Sequence, residues 1–202
     1  MLNMMNICEI LEMENIEKGK PITLLDEYKN NVFFLKRGSI KIVNTTDDTV
    51  KYIVKRGHIF GELSLFDKEA ANEEIAYALE DSVICYIESD QMEKLMIKHK
   101  SLKNGILKIY GLRIKKLERR LSDLLYKDST TRIKEFVLEY IEYFGEENES
   151  NQVIAKNSLS HKEIANLTNT SRQTVSNVLS SMRKKKLIDY NSQFISYTKT
   201  LK

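Results

Sequence analysis

The chain has 202 residues, 42% of them hydrophobic and 30% charged, with a formal net charge of +3. This is the balance of a soluble globular protein with room for one large domain or two small ones, and its longest apolar runs, such as Val32-Phe33-Phe34-Leu35, are too short to span a bilayer. The two cysteines, Cys8 and Cys85, cannot supply a CxxC zinc site or a four-cysteine iron–sulfur cluster within one chain.

The N-terminus, MLNMMNICEILEMENIEKGK, lacks a basic start followed by an apolar stretch, which argues against a secretory signal and for a reducing, cytoplasmic location. Charge is unevenly distributed. Residues 1–149 carry 23 Lys and Arg against 27 Asp and Glu, a net of −4, whereas residues 150–202 carry 9 against 2, a net of +7. Such asymmetry points to a polyanion as the partner of the C-terminal part.

From Ile16 to about Ile87 the pattern is one of short strands and turns. Segment 32–43 holds two β-rich runs around Arg37-Gly38, and a polar turn from Asn44 to Asp48 leads into the alternating run 49–54, which ends at Arg56-Gly57. Residues 82–87 read as one more buried strand. Regular strand and turn spacing of this kind predicts a small antiparallel barrel or jelly roll.

After Ser89 the period becomes helical. Residues 89–98 read as a short helix capped by Ser89, and a longer helix runs from about Ser101 to Tyr126. Leu107, Tyr110, Ile114, Leu117, Leu121 and Leu124 are spaced 3, 4, 3, 4, 3 along it, an a/d seam flanked by Lys115, Lys116, Glu118, Arg119 and Arg120. A seam this narrow and long reads as a two-helix dimer stem rather than as a helix packed on its own domain. A third helix is predicted from about Ser129 to Phe144, capped by Ser129 or Thr130 and ended by Gly145, and 146–152 reads as a polar loop.

In 158–190, Ser160 and Glu163 form a capping-box signature opening a helix whose apolar positions are Ile164, Ala165 and Leu167. The turn Thr168-Asn169-Thr170 interrupts it, and a second helix opens at Ser171 and buries Val175, Val178, Leu179 and Met182. Two short helices around a tight polar turn make a helix-turn-helix. Arg172, Gln173, Ser176 and Asn177 face out near the start of the second helix, side chains suited to bidentate bonds with guanine or adenine in the major groove. Lys162, Arg183 and Lys184, with Lys185 and Lys186 beside them, are placed to meet phosphates. Residues 187–190 and 194–197 complete a two-stranded wing.

Two motifs resemble those of the CRP/FNR superfamily of bacterial transcription regulators. One is Gly57-His58-Ile59-Phe60-Gly61-Glu62-Leu63-Ser64-Leu65-Phe66, the other Ser171-Arg172-Gln173-Thr174-Val175-Ser176-Asn177-Val178-Leu179, preceded by Glu163-Ile164-Ala165. The resemblance covers nearly the whole chain. It implies an α+β fold: an N-terminal antiparallel β-roll (jelly roll) in 1–100, a long dimerisation helix and linker in 101–128, and a winged helix-turn-helix DNA-binding domain in 129–202. It further implies a homodimer on a pseudo-palindromic double-stranded site, RNA polymerase as a possible further partner, and base reading by Arg172, Gln173, Ser176 and Asn177, with Ser171 and Thr174 in the same motif. Members often carry Glu in place of Gln173 and Arg in place of Asn177, so a different half-site is expected.

Cyclic-nucleotide-binding relatives hold the phosphate with an Arg-Ser or Arg-Thr pair about eleven residues after the glycine matched by Gly61; here that place is Asn72-Glu73, followed by Glu74. Carboxylates where a phosphate would sit disfavour cyclic AMP, and Gly61 and Glu62, the other effector-pocket candidates, read first as a turn glycine and a structural acceptor. The oxygen-sensing branch needs clustered cysteines that this chain lacks. Haem would have to draw on Cys8, His58, Cys85 or His99, which no spacing singles out. The expectation is no cofactor and no metal, with an unidentified effector or none.

An enzyme is disfavoured, because the chain has no P-loop, dinucleotide-binding glycine turn, G-x-S-x-G elbow or H-E-x-x-H helix. The remaining rival is an RNA- or partner-binding role for the winged helix. Against it, the second helix carries no aromatic side chain for base stacking.

Overall fold

The computed structural model describes residues 7–9, 11–23, 30–65 and 74–199. The chain divides into two compact units between Leu117 and Glu118.

The first unit is built on two four-stranded antiparallel sheets. One contains β1 (Glu12–Ile16), β3 (Asn31–Arg37), β6 (Ile59–Phe60) and β8 (Ser82–Glu88), in the order β1-β8-β3-β6. The other contains β2 (Pro21–Thr23), β4 (Ser39–Asn44), β5 (Val50–Lys55) and β7 (Glu74–Ala78), in the order β2-β7-β4-β5. Alternation along the strands explains why the run Val32-Phe33-Phe34-Leu35 is apolar throughout. Phe33 and Leu35 point into a core shared with Ile40, Ile42, Val54, Phe60 and Ile84. Val32 and Phe34 point the other way, into a second core with Ile59, Cys85 and Ile87. A strand buried on both faces loses the polar alternation of a surface strand.

That second core is closed by helices. α1 (Ser89–Lys98) supplies Met92, and the first turns of α2 (Lys100–Tyr126) supply Leu102 and Ile106. Ser89 does not cap α1 as expected: the cap position is Glu88, which makes no side-chain cap bond, and Ser89 is buried with its N–H donating to Asn30 O at 2.7 Å. Gly38 turns β3 into β4 at φ +95°, and a Cβ there would fall 2.2 Å from Ser82 Oγ, so the position admits glycine alone.

The second unit contains α3 (Ser129–Phe144), α4 (His161–Thr168), α5 (Arg172–Lys184) and a four-stranded antiparallel sheet. α3 is capped by Asp128, not by Ser129 or Thr130: its carboxylate accepts from Thr131 N at 3.0 Å and from Thr131 Oγ1 at 2.7 Å. Gly145 ends α3, as its position implied. The sheet has the order β11-β12-β10-β9, from β11 (Asp189–Tyr190), β12 (Phe194–Thr198), β10 (Gln152–Lys156) and β9 (Glu146–Glu147). The wing is therefore larger than the expected pair of strands, and part of the expected loop 146–152 is strand. β9 is only two exposed glutamates long and carries no apolar alternation to reveal it.

Candidate nucleic-acid interface

Each helix of the helix-turn-helix begins with a side-chain cap. Ser160 caps α4 in a reciprocal box: Glu163 N donates to Ser160 Oγ at 3.3 Å, and Ser160 N donates to the Glu163 carboxylate at 2.7 Å. Ser171 caps α5, its Oγ accepting from Thr174 N at 3.0 Å and lying 2.8 Å from Thr174 Oγ1. The hydroxyls of Ser171 and Thr174 thus serve the cap.

α4 buries Ile164, Ala165 and Leu167, and α5 buries Val175, Val178, Leu179 and Met182, the apolar positions expected of both helices; Thr168, expected in the turn, is instead the buried last residue of α4. With that stripe inward, Arg172, Gln173 and Asn177 are exposed and Ser176 is half-buried on the opposite side. Gln173 Nε2 donates to Asn177 Oδ1 at 3.1 Å, so two groups able to bond an adenine edge are ordered against each other one turn apart. Lys162 and Lys184 are exposed. Arg183 is exposed too, but its Nε lies 3.3 Å from Asp189 Oδ1 and its guanidinium 5.2 Å from the Tyr190 ring centre, which ties the end of α5 to the wing.

In the first unit the other motif is largely consumed by structure. Phe60 stacks on Phe33 with ring centres 4.8 Å apart. Gly61 sits at φ +70°, and a Cβ there would approach Asn31 O to 2.7 Å. Ser64 Oγ donates to Gly61 O at 2.8 Å. The Glu62 carboxylate is buried and ion-paired with Arg113 of α2, and Tyr110 donates its hydroxyl to Glu62 O at 2.8 Å. The Arg113 guanidinium lies 4.2 Å from the Tyr52 ring centre. Burial keeps the Tyr52 phenol protonated well above its ordinary pKa. Glu74, also buried, pairs with Lys51 Nζ at 2.5 Å. Asn72, Glu73 and Phe66 lie outside the described residues.

Cys85 is fully buried in the second core, and the Cys8 side chain lies outside the described part. His58 precedes β6 with Nδ1 3.4 Å from Arg56 O, and burial lowers its pKa below the ordinary 6.5. His99 follows α1, its N–H bonded to Leu95 O. Among the described residues no group of three or more His, Cys, Asp or Glu side chains is placed to hold a metal ion, and no helix is long and apolar enough to cross a membrane.

On α2, Leu107, Ile114, Leu117, Leu121 and Leu124 are 38–60% exposed. Tyr110 differs from them, being half-buried with its hydroxyl engaged by Glu62 O.

Residues 13–99 match the family "Cyclic nucleotide-binding domain" and residues 131–199 match "Crp-like helix-turn-helix domain". The chain is 25% identical over 190 residues to the Global nitrogen regulator of Synechococcus elongatus, covering 92% of this chain and 85% of that protein. It is 26% identical over 164 residues to the cAMP-activated global transcriptional regulator Vfr of Pseudomonas aeruginosa, covering 78% and 75% respectively. The solved structure of FixK2 from Bradyrhizobium japonicum shares the fold, with a TM-score of 0.77 at 16% identity over 94% of this chain and 93% of that one. With a β-roll, a long helix and a winged helix-turn-helix in this order, the chain belongs to the CRP/FNR superfamily of bacterial transcription regulators.

Proposed function

We propose that this regulator is a cytoplasmic homodimer that binds a pseudo-palindromic DNA site through α5 and does so without cyclic AMP. The observation that carries the DNA reading is the capped α5, whose apolar stripe is buried and whose exposed first turns present Arg172, Gln173 and Asn177. Arg172 suits guanine, Gln173 and Asn177 suit adenine, and Lys162 and Lys184 suit flanking phosphates. Double-stranded DNA is favoured over RNA because α5 offers no aromatic ring for stacking.

The row of exposed leucines on α2 supports the dimer. Apolar side chains at a and d spacing gain by burial against a second copy of themselves. Two such stems would set a pair of α5 helices about one DNA turn apart.

The donor set of the β-roll does not fit a cyclic nucleotide. The Glu62 carboxylate is already engaged by Arg113, and Asn72-Glu73-Glu74 stands where a phosphate-binding arginine would be expected. Glu74 is already paired with Lys51, and a segment with carboxylates in place of arginine offers a phosphate no guanidinium to bond it.

The test is fluorescence anisotropy of the purified protein with labelled DNA from upstream of its own gene and with random DNA, first without additives, then with cyclic AMP or haem. Tight, selective binding without additives supports the reading. Selectivity that appears only with cyclic AMP or haem overturns the effector part, and binding to RNA with no preference among DNA duplexes overturns the DNA part.

A further inference from the structure

α4 ends on Asn169 in the left-handed region, φ 49° and ψ 59°. The last carbonyls of a helix have no following amide to bond them and carry the negative end of its dipole. The turn answers part of this itself: Thr170 N donates to Ala165 O at 2.9 Å, and Asn169 N donates to Asn166 O at 3.3 Å.

Further bonds come from α3 and α2. Arg132 donates from Nε to Thr168 O and from Nη2 to Asn169 O, each at 3.1 Å. The same guanidinium donates from Nη1 to Lys127 O at 2.7 Å. Arg120 adds a longer bond from Nη2 to Asn166 O at 3.4 Å. Lys127 belongs to the elbow joining α2 to α3, which is itself braced: Lys127 Nζ lies 2.6 Å from Asp123 and 2.5 Å from Glu135. One planar cation therefore ties the elbow backbone to both turn carbonyls, a three-way geometry that a point-charge ammonium cannot reproduce.

We propose that Arg132 is a positioning residue for DNA recognition, fixing the turn between α4 and α5 against the α2–α3 elbow so that the first turn of α5 meets the base edges in register. The proposal rests on the reading of α5 as the recognition helix. Arg172 lies only three residues beyond Asn169, so any tilt of the turn is passed directly to the side chains that read bases. Base readout tolerates little misplacement, because each bidentate pair depends on alignment of both bonds.

The test uses the full chain with a duplex selected by the wild type and a scrambled duplex, each titrated over a range of salt. Arg132→Ala is expected to weaken binding to the selected duplex by about tenfold or more while leaving the scrambled duplex and the salt slope unchanged. Arg132→Lys, which keeps the charge but not the fork, is expected to lose selectivity in the same direction, and it decides the matter should Arg132→Ala not fold. A role in stability alone would lower the melting temperature without moving the ratio of selected to scrambled affinity in the folded protein, and that result overturns the proposal. A parallel loss on both duplexes with a salt slope smaller by about one makes Arg132 a phosphate contact instead and also overturns it. If the wild type prefers no duplex, the recognition-helix reading has failed as well; if the wild type selects and both variants select equally, only this proposal has failed.

Discussion

Arg113 of α2 reaches the buried carboxylate of Glu62, the residue after the turn glycine of the β-roll motif, and so ties the helix to the sheet domain from which it emerges. Glu62 is 1% exposed and Arg113 26% exposed, so the pair is shielded at the carboxylate and partly wet at the guanidinium. Removing one member of such a pair leaves the other charge without compensation.

Arg113→Ala is accordingly expected to destabilise the first unit by about 2–4 kcal/mol, somewhat below the cost of breaking a wholly buried pair. Combining it with Glu62→Gln removes the stranded charge and should restore part of the loss. Denaturant unfolding of the two single variants and the double variant measures both. Additive losses would mean that the pair is not coupled.

Arg172→Ala should cost roughly 1–3 kcal/mol on the cognate duplex and relax preference at one base pair, because it removes a bidentate readout. Lys184→Ala should instead weaken binding to all duplexes and flatten the salt slope by about one. Anisotropy titrations on cognate and single-substituted duplexes separate the two roles. Loss on cognate DNA alone would defeat the phosphate role of Lys184.

Leu117→Glu combined with Leu121→Glu places two carboxylates in the exposed apolar row of α2, where both leucines are about 60% exposed in the single chain. The pair should yield monomers by analytical ultracentrifugation with the helical signal retained. An unchanged dimer would show that another surface joins the copies.

Asp128 titrates below its ordinary 3.8 because Thr131 donates to its carboxylate from both hydroxyl and amide. A pKa lower in the folded than in the unfolded chain adds stability above the unfolded value, and that share is lost as pH falls through the folded value. The second unit should therefore weaken as pH drops below about 4. Asp128→Asn, which keeps a cap acceptor without a titrating proton, should flatten that part of the pH profile of melting temperature. An unaltered slope would assign the acid loss to other carboxylates.

Much of the fold was legible because its signals are local. Strands β3, β4, β5 and β8 announced themselves through apolar runs and glycine turns, and the capping box of Ser160 and Glu163 lies within one turn of chain. Helical periodicity likewise gave the buried faces of α4 and α5, and with them the outward face of α5. The expected caps Ser89 and Ser129 each lie one residue inside the helix: α1 starts after Glu88 with no side-chain cap bond, and α3 takes its cap from Asp128.

The sequence by itself determined the order of β-roll, long helix and winged helix-turn-helix, the charge asymmetry and the residues that α5 turns outward, because caps, periodicity and motifs act over a few neighbouring residues. Only the tertiary structure decided that Glu62 is occupied by Arg113, that β9 and β10 widen the wing, and that Arg132 holds the turn after α4. Each of these joins groups that packing rather than chain proximity brings together: Arg113 lies 51 residues from Glu62, and Arg132 is 36 from Thr168. A buried carboxylate or a helix-end carbonyl takes whichever donor the completed fold delivers to it, and no local pattern names that donor in advance.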